Sequence, residues 1–298
     1  MLTLHKPDKN HLDSLEEYSR EDKEEVERLL KTRAYKEDFD LFLLGDLAYD
    51  LAGRLNMSRT ADPIDIYGAL SLAADSYAAA FRLASYPAGE KTIDFFLLGA
   101  PGDVVRRSTG VTSKLHGKRW LTAFYLTMAR HDLADLEGIV MAFPREKIEV
   151  STTITPPFLL AQIEAYKAIY LQTADAPEKL SAFFDATSFD TIEAIDREYV
   201  LDITKFESGM IAMLMLRDEE KFNSELELAL EAHKHYYNRA ATAYNPDGNV
   251  RNDPQHWIYL AGMGMAAWAS LLGMNVTVTS EYLPVRPIER ATVSGQGG

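Results

Sequence analysis

The sequence predicts an almost entirely α-helical protein, either a helical bundle or an irregular, α-solenoid-like array of helical hairpins, with a small strand element near the C-terminus. Three observations carry this expectation. Apolar residues recur at three- and four-residue spacing through most of the 298 residues. Asp62-Pro63 and Asp253-Pro254 each offer a carboxylate to cap free amide groups and a proline suited to the first helical position. The run Trp257–Met274 contains no charged residue, so a helix there must be buried on nearly every side.

Taken in order, His11–Lys31 reads as an exposed helix with a thin apolar stripe of Leu12, Leu15, Tyr18, Val26, Leu29 and Leu30. A second helix, Lys36–Leu55, turns Phe39, Phe42, Leu43, Leu47, Leu51 and Leu55 inward. The third starts at Asp62-Pro63 and runs to Tyr86, where Pro87-Ala88-Gly89 ends it. Thr92–Leu98 reads equally as a short strand or a helix, and Gly99–Gly102 as a turn. Helices resume near Lys118, break at Arg130-His131-Asp132 and continue through Met141. His131 suits a helix C-terminus and Asp132 a new N-cap. A loop over Lys147–Pro157 precedes helices at Phe158–Leu171, Glu178–Thr187, Ile192–Ile203, Met210–Leu216 and Phe222–Tyr244. Asn245–Asn249 is a turn before the final helix, on which Trp257, Leu260, Gly264, Trp268 and Leu271 share a face. Gly273 offers a stop, and Val276–Thr279 then alternates like a strand.

Phe81, Leu126, Leu171 and Leu216 fall at 45-residue intervals, a period that suits stacked helical hairpins. The expected organisation is one large α-helical domain over residues 1–290, with an N-terminal subdomain at 1–100 as a finer division, and a flexible tail at 291–298.

Composition narrows the function classes. The chain has 47% hydrophobic and 26% charged residues, which excludes a disordered or fibrous protein. It has no cysteine, so thiol catalysis, disulfides and cysteine metal sites are excluded. Met1–Pro7 is too short and polar for a signal peptide, and the cytoplasm is the expected compartment. Trp257–Met274 reaches the length of a membrane span, but its glycine and alanine content and the lack of flanking lysine or arginine favour a central helix in a protein that does not enter the membrane.

The net charge of −14 argues against nucleic-acid binding. Asp185–Glu231 holds 13 acidic and 4 basic residues, a local charge of −9, whereas Val104–His131 holds Arg106, Arg107, Lys114, Lys118, Arg119 and Arg130 and no acid. Either the two segments are balanced or solvated within the fold, or the acidic one forms a face that steers a basic partner. On the second reading the binding residues are Glu193, Asp196, Glu198, Glu207, Asp218, Glu219 and Glu220.

No phosphate-binding loop, dinucleotide fingerprint or nucleophile elbow is present in the sequence. Glu227, Glu231 and His235 stand at four-residue steps on one helix face, which suits either a solvated surface or three ligands of a cation. His256 reads as a packing or hydrogen-bonding residue beside Trp257. Tyr236, Tyr237 and Tyr244 suit core packing or an aromatic contact surface. No catalytic constellation stands out, and the expectation is a protein that is not an enzyme and needs no cofactor or metal.

The succession Asp253-Pro254, Trp257, a small-residue helix, a short strand and Tyr282-Leu283-Pro284 resembles the C-terminal part of the immunity protein 49 family. Proteins of that family accompany bacterial polymorphic toxins and are taken to neutralise them. The resemblance implies a cytoplasmic binder of one cognate toxin domain that blocks its active site or substrate path. It gives Asp253, Pro254, Trp257, Tyr282, Leu283 and Pro284 a mainly structural role. The 45-residue spacing supports a competing expectation, a helical-repeat scaffold that binds peptides or proteins.

Overall fold

The computed structural model describes residues 1–58, 61–131, 133–149, 155–239, 241–243, 245–246 and 250–284. Its chain divides into two compact units, one of Asp8–Thr155 and one of Met1–Pro7 with Pro156–Gly298. The fold is predominantly helical, built from helical hairpins.

In the Asp8–Thr155 unit, α1 (Lys9–Asp13) and α2 (Leu15–Thr32) precede the long pair α3 (Leu41–Ser58) and α4 (Pro63–Ala84). The second helix starts later than Lys36 because the chain turns through residues 33–40, and the Phe42 N–H is taken by Asp40 Oδ1 at 3.1 Å. As the Asp-Pro signal predicts, the Asp62 side chain accepts from Ile64 N and Pro63 opens α4. Close packing of α3 on α4 depends on Gly45, where an added Cβ would lie 2.5 Å from the Tyr77 ring. The Tyr77 hydroxyl bonds Asp46, which also pairs with Arg119 at 3.2 Å.

The ambiguous Thr92–Leu98 run resolves as a strand. β1 (Thr92–Phe95) and β2 (Val104–Arg107) form an antiparallel hairpin, in register from Thr92↔Arg107 to Phe95↔Val104. Their alternation turns Ile93, Phe95, Val104 and Arg106 inward. Next come α5 (Gly117–Arg130), α6 (Leu133–Asp135) with a π-helical turn at Leu136–Met141, and α7 (Arg145–Glu149). Thus the loop expected from Lys147 is helical to Glu149. His131 ends α5 in the left-handed region, with φ 60°, and Asp132 lies outside the described residues. The buried indole of Trp120 donates to Val140 O at 2.8 Å, fixing α5 to the π turn.

The basic bias of Val104–His131 is balanced inside this unit. Arg119 pairs with Asp46 of α3, Arg130 with Asp75 of α4 and Lys114 with Asp40 on the approach to α3.

The other unit begins with the hairpin α8 (Pro157–Tyr170) and α9 (Ala176–Ala186). The helix expected at Ile192–Ile203 is helical only from α10 (Arg197–Tyr199), which passes through a π turn at Val200–Thr204 into α11 (Lys205–Leu216). α12 (Glu219–Tyr237) stops before Tyr244, which lies outside the described residues. Part of the Asn245–Asn249 turn does too; Thr242 and Asn245 exchange main-chain bonds at 3.1 Å.

The charge-free run is divided. Pro254–Trp257 forms a 3-10 turn, Ile258 is extended, and α13 (Leu260–Leu271) follows, buried at every position from Leu260 to Ala269. The break arises because Tyr259 N donates to the distant Tyr282 O at 2.9 Å. Among the described residues no helix is long and apolar enough to cross a membrane. Among the described residues Val276–Thr279 joins no ladder, the C-terminal strand element amounts to one parallel bridge, Leu2↔Ser280, and the two-stranded sheet is the β1–β2 hairpin. The four residues at 45-residue spacing occupy unlike places, Phe81 and Leu126 buried but Leu171 and Leu216 exposed. The expected tail, residues 291–298, lies outside the described residues.

Candidate functional site

Two groups of residues were expected to matter, the C-terminal motif and the acidic segment, and both lie in the unit that contains α8–α13. The motif builds a buried junction. Asp253 Oδ1 accepts from Gln255 N at 3.0 Å, so the cap starts a 3-10 turn with Pro254 at its head. Trp257 is fully buried, and its Nε1 donates to Arg251 O at 3.2 Å. The Arg251 guanidinium in turn donates to Asn238 O at the C-terminal end of α12, where a cation complements the helix dipole. Tyr282, also fully buried, receives the main-chain N–H of His5 on its hydroxyl at 2.8 Å. Leu283 N closes a turn onto Ser280 O, and Pro284 is half-buried beside it. Glu281 reinforces the same tie, its N–H donating to Leu2 O and its carboxylate accepting from Leu4 N at 2.9 Å.

Three histidines meet several tyrosines here. His233 Nε2 donates to His256 O at 2.9 Å, and its ring packs within 5.0 Å, centre to centre, of Tyr237, Tyr259 and Tyr282. His256 stacks on Tyr237 at 3.7 Å, the packing role its sequence position implied. Burial holds His5 down to about 4 and His233 well below the ordinary imidazole value, so both are neutral at pH 7. A neutral His5 lets the Tyr282 hydroxyl, 2.7 Å from Nδ1, donate to that nitrogen. Tyr236 and Tyr237 are likewise buried. His5, His233 and Tyr259 gave no sequence signal, since each sits alone in its local pattern.

The acids of Asp185–Glu231 do different things. Glu207 is buried and accepts from Gln162 Nε2 at 2.8 Å; its charge adds to the burial that raises the pKa values of Tyr199 and Tyr259. Asp196 is also buried, at the start of α10. Glu198 pairs with Arg239 at 2.6 Å and accepts from Ala243 N. Asp218 caps α12 through Lys221 N and pairs with Lys221, the bonds that lower its pKa. Glu219 accepts from Asn275 N at 2.8 Å. Glu193 and Glu220 are exposed.

On α12 the exposed positions include Glu220, Glu227, Glu231 and His235, spaced along one helical face. The glutamates and histidine weighed as cation ligands therefore lie on this exposed side, and among the described residues no three such groups are arranged to hold a metal ion. At the end of α9 and in the loop before α10, the exposed side chains of Phe184, Phe189 and Ile195 are interspersed with exposed Asp185, Asp190 and Glu193. The sequence reading noticed the acids of this segment and missed its apolar members.

The sequence profile described as immunity protein 49 matches residues 59–286, most of the chain and both groups just described. The chain belongs to the immunity protein 49 family. No curated protein and no solved structure matches it significantly. Membership makes this an immunity protein, with toxin neutralisation as its general role and a toxin as its protein partner. The motif residues Asp253, Pro254, Trp257, Tyr282, Leu283 and Pro284 fall inside the matched span.

Proposed function

We propose that this immunity protein neutralises one cognate toxin domain in the cytoplasm by binding it and covering its active site or substrate path, without catalysis of its own. The observation that supports the reading is the exposed acidic face of α12, Glu220, Glu227 and Glu231. Acids held outward, clear of the internal pairs that occupy Glu207 and Glu198, project a field that attracts a basic surface. A toxin that acts on nucleic acid or nucleotides is basic where its substrate binds, and an acidic immunity surface takes the place of that substrate's charge. The exposed Phe184, Phe189 and Ile195 supply apolar contacts of the kind that anchor protein interfaces.

The test is expression of the adjacent toxin domain in a bacterium with and without this chain, followed by association kinetics. Rescue and a stable complex are expected. The triple variant Glu220→Lys, Glu227→Lys, Glu231→Lys should associate about tenfold more slowly or worse at low salt, with the difference shrinking as salt rises. An unchanged association rate at low salt rejects this face as the steering surface. Killing by an active toxin despite soluble immunity protein rejects the pairing.

A further inference from the structure

Three helices of the second unit, α8, α11 and α13, stop at a common end. Gln162 Nε2 of α8 donates to Glu207 Oε2 of α11 at 2.8 Å, and nine residues further along each chain stand Leu171 and Leu216. Nine residues of helix rise about 13 Å, so both helices finish at the same level. The last turn of α13 meets them there. The Trp268 ring lies 5.8 Å, centre to centre, from that of Tyr170, and Arg217 donates to Leu272 O at 3.4 Å. All three close alike. Gln172, Arg217 and Gly273 take left-handed backbone, with φ 52°, 54° and 81°. The amide after each reaches back into the helix, Thr173 N to Ala168 O, Asp218 N to Met213 O and Met274 N to Ala269 O.

Apolar side chains are left in water at this end. Leu171 is 54% exposed, Leu216 63% and Leu271 41%. Met213, Met215 and Leu272 are half-buried in the same final turns. Exposed leucines scattered singly are ordinary, whereas a group of them where three helices stop marks a surface that a partner covers. The methionines supply side chains that adapt to what packs on them.

The surrounding charge indicates the kind of partner. The negative dipole ends of α8 and α11 are offset by the starts of α9 and α12, so side chains and the end of α13 set the sign. Asp175 and Glu178 at the start of α9, and Glu219 and Glu220 at the start of α12, are exposed. The bases are engaged or set back. Lys179 pairs with Glu164 at 3.6 Å, Lys221 with Asp218 at 2.8 Å, Arg217 serves Leu272 O, and Lys167 is half-buried a turn earlier on α8. A second copy docked symmetrically would set these acids against themselves.

We propose that the cognate toxin domain docks on this leucine end, through an apolar side chain flanked by lysine or arginine. The proposal rests on the toxin-binding reading and names the surface and the chemistry that meets it. Leu171, Leu216 and Leu271 anchor the contact, and the acids of α9 and α12 form its rim.

Binding kinetics of the full chain with the toxin domain encoded beside it test this, using Leu171→Gln and Leu216→Gln. Both positions are exposed, and circular dichroism checks that each variant keeps the wild-type helix content. Each should dissociate at least about tenfold faster while association at low salt is unchanged, because a lost apolar anchor acts on the off-rate. Glu178→Lys should slow association roughly threefold at low salt. Amide exchange of the wild-type chain, which needs no variant, should slow in the complex at residues 168–176, 213–219 and 269–275. A wild-type complex whose off-rate neither leucine substitution changes, or whose exchange is not slowed in those stretches, overturns this assignment and leaves the toxin-binding reading standing. Absence of any wild-type complex overturns both. Undiminished association of Glu178→Lys removes the basic partner. A dimer of the free chain in sedimentation that the leucine substitutions dissolve gives this end to a second copy and overturns the proposal.

Discussion

Replacing Tyr282 by phenylalanine isolates the tie between the N-terminal segment and the C-terminal motif. The ring remains to pack against His233, 5.0 Å away edge to face, and only the hydroxyl is lost. Two buried partners then go unsatisfied: the main-chain N–H of His5, 2.8 Å from the oxygen, and His5 Nδ1, 2.7 Å from it. Each such loss costs about 1–3 kcal/mol, and relief of the hydroxyl's own desolvation returns about 1, so a net loss of about 3 kcal/mol is expected. Urea unfolding followed by circular dichroism measures the total. Amide exchange of residues 2–6 measures the local effect and should accelerate at His5 first. A third readout separates this arrangement from mere packing. Burial is what chiefly holds the His5 pKa down, and it persists in the variant; the hydroxyl proton on Nδ1 adds to it by stabilising neutral imidazole, so its removal should raise the His5 pKa part of the way, followed by NMR titration. A stability loss below about 0.5 kcal/mol with an unmoved His5 pKa would refute the hydrogen-bond reasoning.

Acid should weaken the fold through buried imidazoles. His5 and His116 are both held down to about 4 by burial, so between pH 6.5 and 4 the unfolded chain binds protons that the folded chain refuses. Stability from these groups is complete above pH 6.5 and is lost as pH falls toward 4; His5 accounts for about 3 kcal/mol of that loss and the less buried His116 for a smaller share. Unfolding midpoints measured from pH 7.5 to 4.5 should show this slope, and His5→Gln should flatten it; a slope identical in the variant removes His5 as its source. Gly45→Ala places a methyl 2.5 Å from the Tyr77 ring, whose hydroxyl is pinned to Asp46, and should cost about 1–3 kcal/mol by overpacking. Thermal unfolding indistinguishable from wild type would mean that α3 and α4 part more easily than their packing indicates.

The features legible in the sequence were those that act locally or through burial. Asp62 and Asp253 cap through amides two residues away, and such bonds are set by short-range geometry. The charge-free run announced a buried helix because nothing on it tolerates water, and α13 is buried from Leu260 to Ala269. What failed depended on distant atoms. The final α-helix begins at Leu260 rather than at Pro254 because Tyr259 N finds the carbonyl of Tyr282, which no local pattern encodes. Thr92–Leu98 could not be assigned alone, because its strand character comes from pairing with Val104–Arg107. Val276–Thr279 alternates correctly, but its Thr277 N meets the side chain of Asn223, as the preceding Asn275 N meets Glu219, in place of a neighbouring strand.

Charge runs are the case where sequence and structure diverge most usefully. Reversing Asp218, Glu219 and Glu220 together looks like the natural probe of an acidic face, yet it would confound two effects. Asp218 caps α12 and Glu219 holds Asn275 N, so lysine at either position removes a hydrogen bond; both also compensate the positive end of the helix dipole, which lysine would oppose. A slower association in that variant would report a damaged helix as readily as a lost field. Glu220, Glu227 and Glu231 are exposed on the same helix, and the latter two lie beyond its first turn. Their reversal changes the outward charge by as much while the cap and the Asn275 bond persist. If unfolding midpoints of that variant match the wild type and its association is slowed only at low salt, the effect belongs to the field. The same logic explains why the local charge of −9 in Asp185–Glu231 overstates what a partner meets: Glu207 faces Gln162 in the interior, and Glu198 is neutralised by Arg239.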